Sequence, residues 1–149
     1  MSKKYTVTLT EKQLRAISDA ADLQQRLQLG QYREIENSLP IDYKTVNWEE
    51  FHEDMKEIGR LLSKHMIGDV DGTFCTLGVG NKNLPESNSI LYEIHRCIRH
   101  KLSWERAVEE GIVESEDSPR NWSKMMTVNY DEPMKYSDEP FIQIERIEE

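Results

Sequence analysis

The residues with the most chemistry to offer lie in one stretch, Gly78-Val-Gly-Asn-Lys-Asn-Leu-Pro-Glu-Ser-Asn-Ser89, and in the helix that its pattern predicts next. Two glycines let the backbone curl until successive N–H groups face one point, and a helix N-terminus adds about half a positive charge there. That arrangement holds a phosphate without a metal. Asn81, Asn83, Ser87 and Asn88 add side-chain donors that also suit the edge of a base. Along the helix, Tyr92, Arg96, Arg99 and Ser103 follow at spacings of four, three and four on the side away from the apolar stripe, with His95 and His100 beside them. Arginines grip phosphate in bidentate fashion, and Phe74, Tyr92 or Trp104 offers an aromatic face to a base. The predicted chemistry is recognition of a small, phosphorylated, planar ligand. Arg15, on an earlier helix, is expected to lie apart from it. The same residues also fit a plainer description, an ordinary glycine turn followed by a solvated arginine face paired with Glu93 and its acidic neighbours.

Other chemistries lack their parts. His52, His65, His95 and His100 make no zinc-binding pattern, and His95 and His100, five apart, fall on different helix faces. Gly68-Asp-Val-Asp-Gly72 looks like the start of a calcium loop, but the position that needs a bidentate glutamate, the twelfth from Asp69, is Gly80. Cys75 and Cys97 have neither disulfide-scaffold nor zinc spacing and read as reduced thiols packed as small apolar groups. Cys97 has basic neighbours in sequence but borders the buried stripe, which does not favour a thiolate. Carboxylates are so abundant that nothing selects a catalytic pair. We therefore expect no catalytic residue, no metal and no cofactor, and a protein that binds rather than transforms.

Several elements must position these groups. Tyr5-Thr-Val-Thr-Leu-Thr10 alternates large apolar with small polar residues and predicts a half-buried strand. Thr10 and Gln13 form a capping box, with Leu9 placed to staple onto Leu14, so a helix starts there. Leu14, Ile17, Ala21 and Gln24, with Ala20, Leu23 and Leu27 alongside, give it one broad face, and Gly30 ends it. Gln31 to Leu39 adds a short helical turn before Pro40. Asn47 caps a second helix, Glu50 answers it, and Phe51, Met55, Ile58, Leu62 and Met66 recur at helical spacing until Gly68. Gly68 to Leu84 is a glycine-rich loop with a short strand at Thr73 to Leu77. A third helix begins near Pro85, buries Ile90, Leu91, Ile94, Ile98 and Leu102, and runs to about Val108. Residues 109–121 form an acidic linker, after which Met125 to Tyr130 and Phe141 to Ile147 alternate as strands. The expected architecture is a single α+β domain over residues 1–149, with an antiparallel sheet built from both chain ends packed against about three helices.

Charge narrows the partners. The chain of 149 residues carries a net charge of −9, which argues against nucleic acid, because backbone binding there depends on lysine and arginine releasing counterions. The imbalance is local: residues 109–149 hold 4 basic and 12 acidic side chains, leaving residues 1–108 close to neutral. No run of about 18 apolar residues is present and no N-terminal stretch reads as a secretion signal, so the expected compartment is the cytoplasm, with no membrane partner.

Tyr5-Thr-Val-Thr-Leu-Thr-Glu-Lys-Gln-Leu14, Arg26-Leu-Gln-Leu-Gly-Gln31, and Gly78-Val-Gly-Asn81 leading through Leu84-Pro-Glu-Ser87 into Tyr92-Glu-Ile-His-Arg96 and Arg99-His-Lys-Leu-Ser-Trp104 together resemble the first family of phage Thoeris anti-defence proteins, over about residues 5–106. The resemblance implies a sponge made by a phage in the host bacterial cytoplasm. Such a protein sequesters a cyclic nucleotide signal of the glyco-cyclic ADP-ribose type, made by bacterial TIR enzymes, without cleaving it. It further implies a homo-oligomer with pockets between protomers. By the same resemblance Phe74 is the base-stacking aromatic, Asn81 or Asn83 the polar reader, and Arg99 with Arg26 the phosphate clamps, with Arg96 on the same stripe. The acidic C-terminal segment has no counterpart there. It leaves open an alternative function, an acidic protein-binding inhibitor or nucleic-acid mimic acting on a host protein.

Overall fold

Residues 3–42, 44–66, 77–125 and 127–147 are described by the computed structural model, Thr127 by its backbone alone. Among the described residues five helices run in chain order: α1 over Glu11–Gln28, α2 over Glu34–Ser38, α3 over Trp48–Ser63, α4 over Glu86–Glu109 and α5 over Thr127–Tyr130. Their ends follow from local chemistry. The Thr10 backbone N–H donates to Gln13 Oε1 at 2.8 Å and the Gln13 N–H to Thr10 Oγ1 at 3.3 Å, so the capping box forms as the sequence predicts. Gly30, at φ 84°, turns the chain at the other end, and the N–H groups of Gly30 and Gln31 donate to the carbonyls of Leu27 and Arg26 at 3.0 and 2.9 Å. The same double closure recurs at the end of α4, where Gly111 has φ 66° and Ile112 N–H reaches the Ala107 carbonyl at 2.9 Å.

The framework is an antiparallel pair of α1 and α4. Ser18 meets His95, Gln25 meets Asn88 and Gln28 meets Ser87, so one helix rises in number as the other falls. Asn88 is fully buried, and its Nδ2 donates to the Gln25 carbonyl at 3.0 Å and to Gln28 Oε1 at 3.1 Å, pinning the register. Ala21, Ile98 and Leu102 are buried in this framework, with Ile98 only 1% exposed. A second cluster closes the far end of α4, where Trp104, Ala107, Met125 and Tyr130 pack together with Ile112 and Val113 against them.

No residue of the described segments is in a strand, so the expected α+β fold with an antiparallel sheet is wrong: the described protein is helical. Tyr5 to Thr10 is in no regular element, Tyr5 and Val7 are 83% and 70% exposed, and among the described residues no partner strand satisfies its backbone. Alternating β-branched residues make a strand only when an adjacent backbone and a packed face are available, and here helix–helix packing supplies the core instead. Met125 to Tyr130 fails as a strand for another reason. Met125 and Tyr130 both bury against Trp104, an odd spacing that period two would send to opposite faces and that a turn leading into α5 brings together. Phe141 to Ile147 is in no regular element and is largely exposed. The strand expected at Thr73 to Leu77 lies, apart from Leu77, outside the described residues.

The segment after α5 is tied to α4 by one buried carboxylate. Glu93, 4% exposed, accepts from Lys135 Nζ at 2.6 Å, from the backbone N–H groups of Tyr136 and Ser137 at 2.7 and 2.5 Å, and from Ser137 Oγ at 2.8 Å. Burial pushes this carboxyl up, but the hydrogen bonds outweigh it and hold Glu93 below the usual carboxylate range. The Tyr136 ring meets Tyr92 edge-on at 5.3 Å.

Candidate ligand-binding site

Two concavities flank α4. The larger, about 910 Å³, is a trough between the segment before α1 and the segment after α5, with Tyr5, Val7, Ile98, Ile142 and Ile144 among its lining. Its walls are mostly apolar. The smaller, about 400 Å³, lies along the α1–α4 seam and is polar. Arg15, Ser18, Asp19 and Asp22 reach it from α1 at positions i, i+3, i+4 and i+7, and His95, Arg99, Ser103 and Arg106 from α4 at i, i+4, i+8 and i+11. Each set is one face of its helix, so the cavity is a place where two polar ridges meet instead of two apolar ones. Asn129 of α5 closes one side.

The charges in this cavity are unequally satisfied. Arg15 is bridged to Glu11 at 2.6 Å, and Arg106 approaches Glu110 at 4.0 Å. Asp22 accepts from Arg26 Nε at 2.8 Å and faces His95 Nε2 at 3.7 Å. Arg99 is exposed and makes no hydrogen bond or ion pair among the described residues, and the same is true of Asp19. Asn129 Oδ1 is buried with no donor against it among the described residues. An unpaired guanidinium, flanked by two more at the same cavity and by a buried acceptor, suits an oxyanion that also carries hydrogen-bond donors.

His95 forms the cavity's inner wall. It is 8% exposed, with Nδ1 at 2.9 Å from Ser18 Oγ and 3.1 Å from the Ser18 carbonyl oxygen. Burial holds its pKa below the ordinary histidine range. Asp22 and the Ser18 carbonyl pull it upward, while Arg99 and Arg96 push it further down. Serine, histidine and aspartate in contact suggest a hydrolytic triad, but the local geometry does not support one. A carbonyl only accepts, so Nδ1 carries a proton and cannot also serve as base for the serine beside it. Ser18 also sits inside α1, where the surrounding backbone N–H groups are committed to the helix ladder and form no oxyanion hole.

The residues expected from sequence are distributed as follows. Arg99 lines the polar cavity. Arg96 does not: its Nη2 donates to the Val128 carbonyl, so it ties α4 to α5. Arg26 lies at the C-terminal end of α1, held by Asp22, by Gln31 at 3.0 Å and by Glu34 at 3.3 Å. Asn81 and Asn83 are in the turn before α4, where Asn81 Oδ1 accepts from the Asn83 N–H at 2.9 Å. That turn and the start of α4 stand 13 residues from Arg99, about 20 Å along the helix at 1.5 Å per residue. Loop and arginine stripe therefore do not converge on one surface as expected. Phe74 lies outside the described residues. What sequence reasoning missed is the α1 wall, and its signal was present: Arg15, Ser18, Asp19 and Asp22 form a polar ridge at helical spacing beside the apolar one.

No protein-family model, no curated protein and no solved structure matches this chain. Among the described residues no group of three or more His, Cys, Asp or Glu side chains is arranged to hold a metal ion, and no helix is long and apolar enough to cross a membrane.

Proposed function

We propose that this protein captures a small phosphate-bearing ligand in the α1–α4 cavity without changing it, and that its task is to sequester a cyclic nucleotide signal of the glyco-cyclic ADP-ribose type for a phage in the bacterial cytoplasm. The observation that carries the first part is Arg99: an arginine without a partner among the described residues, in a cavity with Arg15 and Arg106 on its walls and His95 behind. The second part rests on the sequence resemblance. The cavity's arginines supply charge and planar donors, and Asp19 with Asn129 supplies acceptors for hydroxyl or amine groups of the same molecule. Two exposed carboxylates of the acidic segment are paired, Glu116 with Lys101 and Asp131 with Arg120, which leaves less of its charge for a docking face.

Self-association belongs to this proposal. On α3, Met55, Gly59 and Ser63 face inward, whereas Trp48, Ile58, Leu61 and Leu62 are each 40–47% exposed. That apolar surface suits contact with a second copy. Light scattering at micromolar concentration is expected to show a homo-oligomer, and a strict monomer would remove this part of the proposal. The ligand itself is tested by mass spectrometry of small molecules released by heat from protein made in cells with active TIR signalling. An intact cyclic nucleotide, retained equally in EDTA, is expected. A cleaved product or a metal requirement would place the protein among enzymes.

A further inference from the structure

We propose that His95 couples capture of an oxyanion in the α1–α4 cavity to the uptake of one proton, so that the protein holds its ligand more tightly as pH falls. This rests on the assignment of the cavity as an anion site and adds its regulation.

The geometry decides which nitrogen does the work. Nδ1 lies 3.1 Å from the Ser18 carbonyl, which only accepts, and 2.9 Å from the Ser18 hydroxyl, which can do either, so a proton on Nδ1 is the arrangement that satisfies both contacts. Nε2 is then the nitrogen with the free lone pair, and it faces Asp22 Oδ1 at 3.7 Å on the cavity side. A second proton arriving at Nε2 would face the Asp22 carboxylate at ion-pair distance and would leave the Ser18 contacts intact. The ring can therefore charge without moving.

What opposes charging is the surroundings. Around the ring, α1 contributes Arg15, Asp19 and Asp22, α4 contributes Arg96, Arg99 and Arg106, and α5 contributes only the uncharged Asn129. Asp22, the nearest anion, is already engaged by Arg26 at 2.8 Å. Arg96 and Arg99 both disfavour an imidazolium, as does burial. An oxyanion seated on Arg99 reverses the balance, since it neutralises a cation that disfavours the imidazolium and places negative charge in the cavity that the ring bounds. Ligand and proton then each favour the other's binding, and linkage makes the effect reciprocal. The sign follows: the empty cavity keeps His95 neutral at neutral pH, the filled one raises its proton affinity, and affinity for the anion grows as pH drops towards and below the ordinary histidine value of about 6.5.

Sulfate is the probe of choice, because it has no titrating proton in this range and any proton taken up belongs to the protein. The titration midpoint of the His95 ring, followed by NMR on the whole chain, is expected to rise by about half a unit or more in saturating sulfate. Sulfate affinity is expected to increase as pH falls through the His95 titration, by about threefold in total for a half-unit rise in the midpoint and about tenfold for a full unit, never more steeply than one proton allows. His95→Gln keeps a hydrogen-bonding side chain and is expected to bind sulfate with that pH dependence gone. If sulfate perturbs the Arg99 guanidinium but leaves the His95 midpoint where it was, or if the pH dependence survives in His95→Gln, the proton coupling is wrong and the anion site stands. If sulfate reaches neither residue at any concentration, the anion site and the coupling fall together.

Discussion

Arg99→Ala is expected to abolish ligand capture while leaving the fold unchanged. The side chain is exposed and makes no hydrogen bond or ion pair among the described residues, so its removal opens no core cavity and strands no partner. A bidentate arginine–phosphate contact is charge-assisted, and its loss should cost about 2–5 kcal/mol, which is about 30-fold or more in affinity. Arg99→Lys should rescue little, because an ammonium keeps the charge and loses the planar fork. The control must lie off the seam. Arg15 looks remote in the sequence but lines the same cavity, so the suitable control is Arg60→Ala on α3, whose guanidinium pairs with Glu57 at the exposed surface. Calorimetric titration of the parent and these three variants decides the matter. Parent-like affinity in Arg99→Ala would show that the cavity arginine is an ordinary solvated side chain.

The largest expected effect on stability is that of Trp104→Ala, about 3–5 kcal/mol. Trp104 is 9% exposed, lies edge-on to Tyr130 with ring centroids 5.6 Å apart, and donates its Nε1–H to the Tyr130 carbonyl at 3.2 Å. Truncation removes the centre of the cluster with Ala107, Met125 and Tyr130 and leaves a buried carbonyl without its donor. For a domain of this size that corresponds to a fall in melting temperature of about 10 °C or more. Trp104→Phe, which keeps the ring contact but not the N–H, should lose about 1–3 kcal/mol. Trp122→Ala, at a residue 74% exposed, should change little. Thermal and urea unfolding followed by circular dichroism rank the three. Equal stability of Trp104→Ala and Trp122→Ala would contradict the packing described above.

Helix boundaries were legible because they are written in short-range chemistry. Thr10 with Gln13, Asn47 ahead of Glu50, Pro85 before Glu86 and Gly30 after α1 act within four residues, and each is found where the sequence puts it. Gly111, which closes α4, was an equally local signal that went unread. The sheet was not legible, since strands are decided by partners distant in the chain, and Tyr5 to Thr10 has none among the described residues. The rotation of the buried faces also depends on neighbours. On α1 the buried position is Gln25 and not Gln24, because Asn88 bonds to the Gln25 carbonyl and brings that side of the helix against α4. Arg99 was selected for its place on a polar stripe, whereas the α1 half of its cavity depended on a register that only Ser18–His95 and Gln25–Asn88 reveal.

That register has a consequence during synthesis. The contact between Ser18 and His95 spans 77 residues of chain, so α1 has no framework partner until α4 has been made. At 5–20 residues per second, the ribosome needs about 4–15 s to bridge that distance. For that interval α1, a helix of 18 residues, has α2 beside it, held by Arg26 to Glu34 at 3.3 Å, but not the long helix it packs on in the finished fold. The Thr10 capping box and the Gly30 closure lie wholly within residues 10–31, so the contacts that end α1 need no residue made after it.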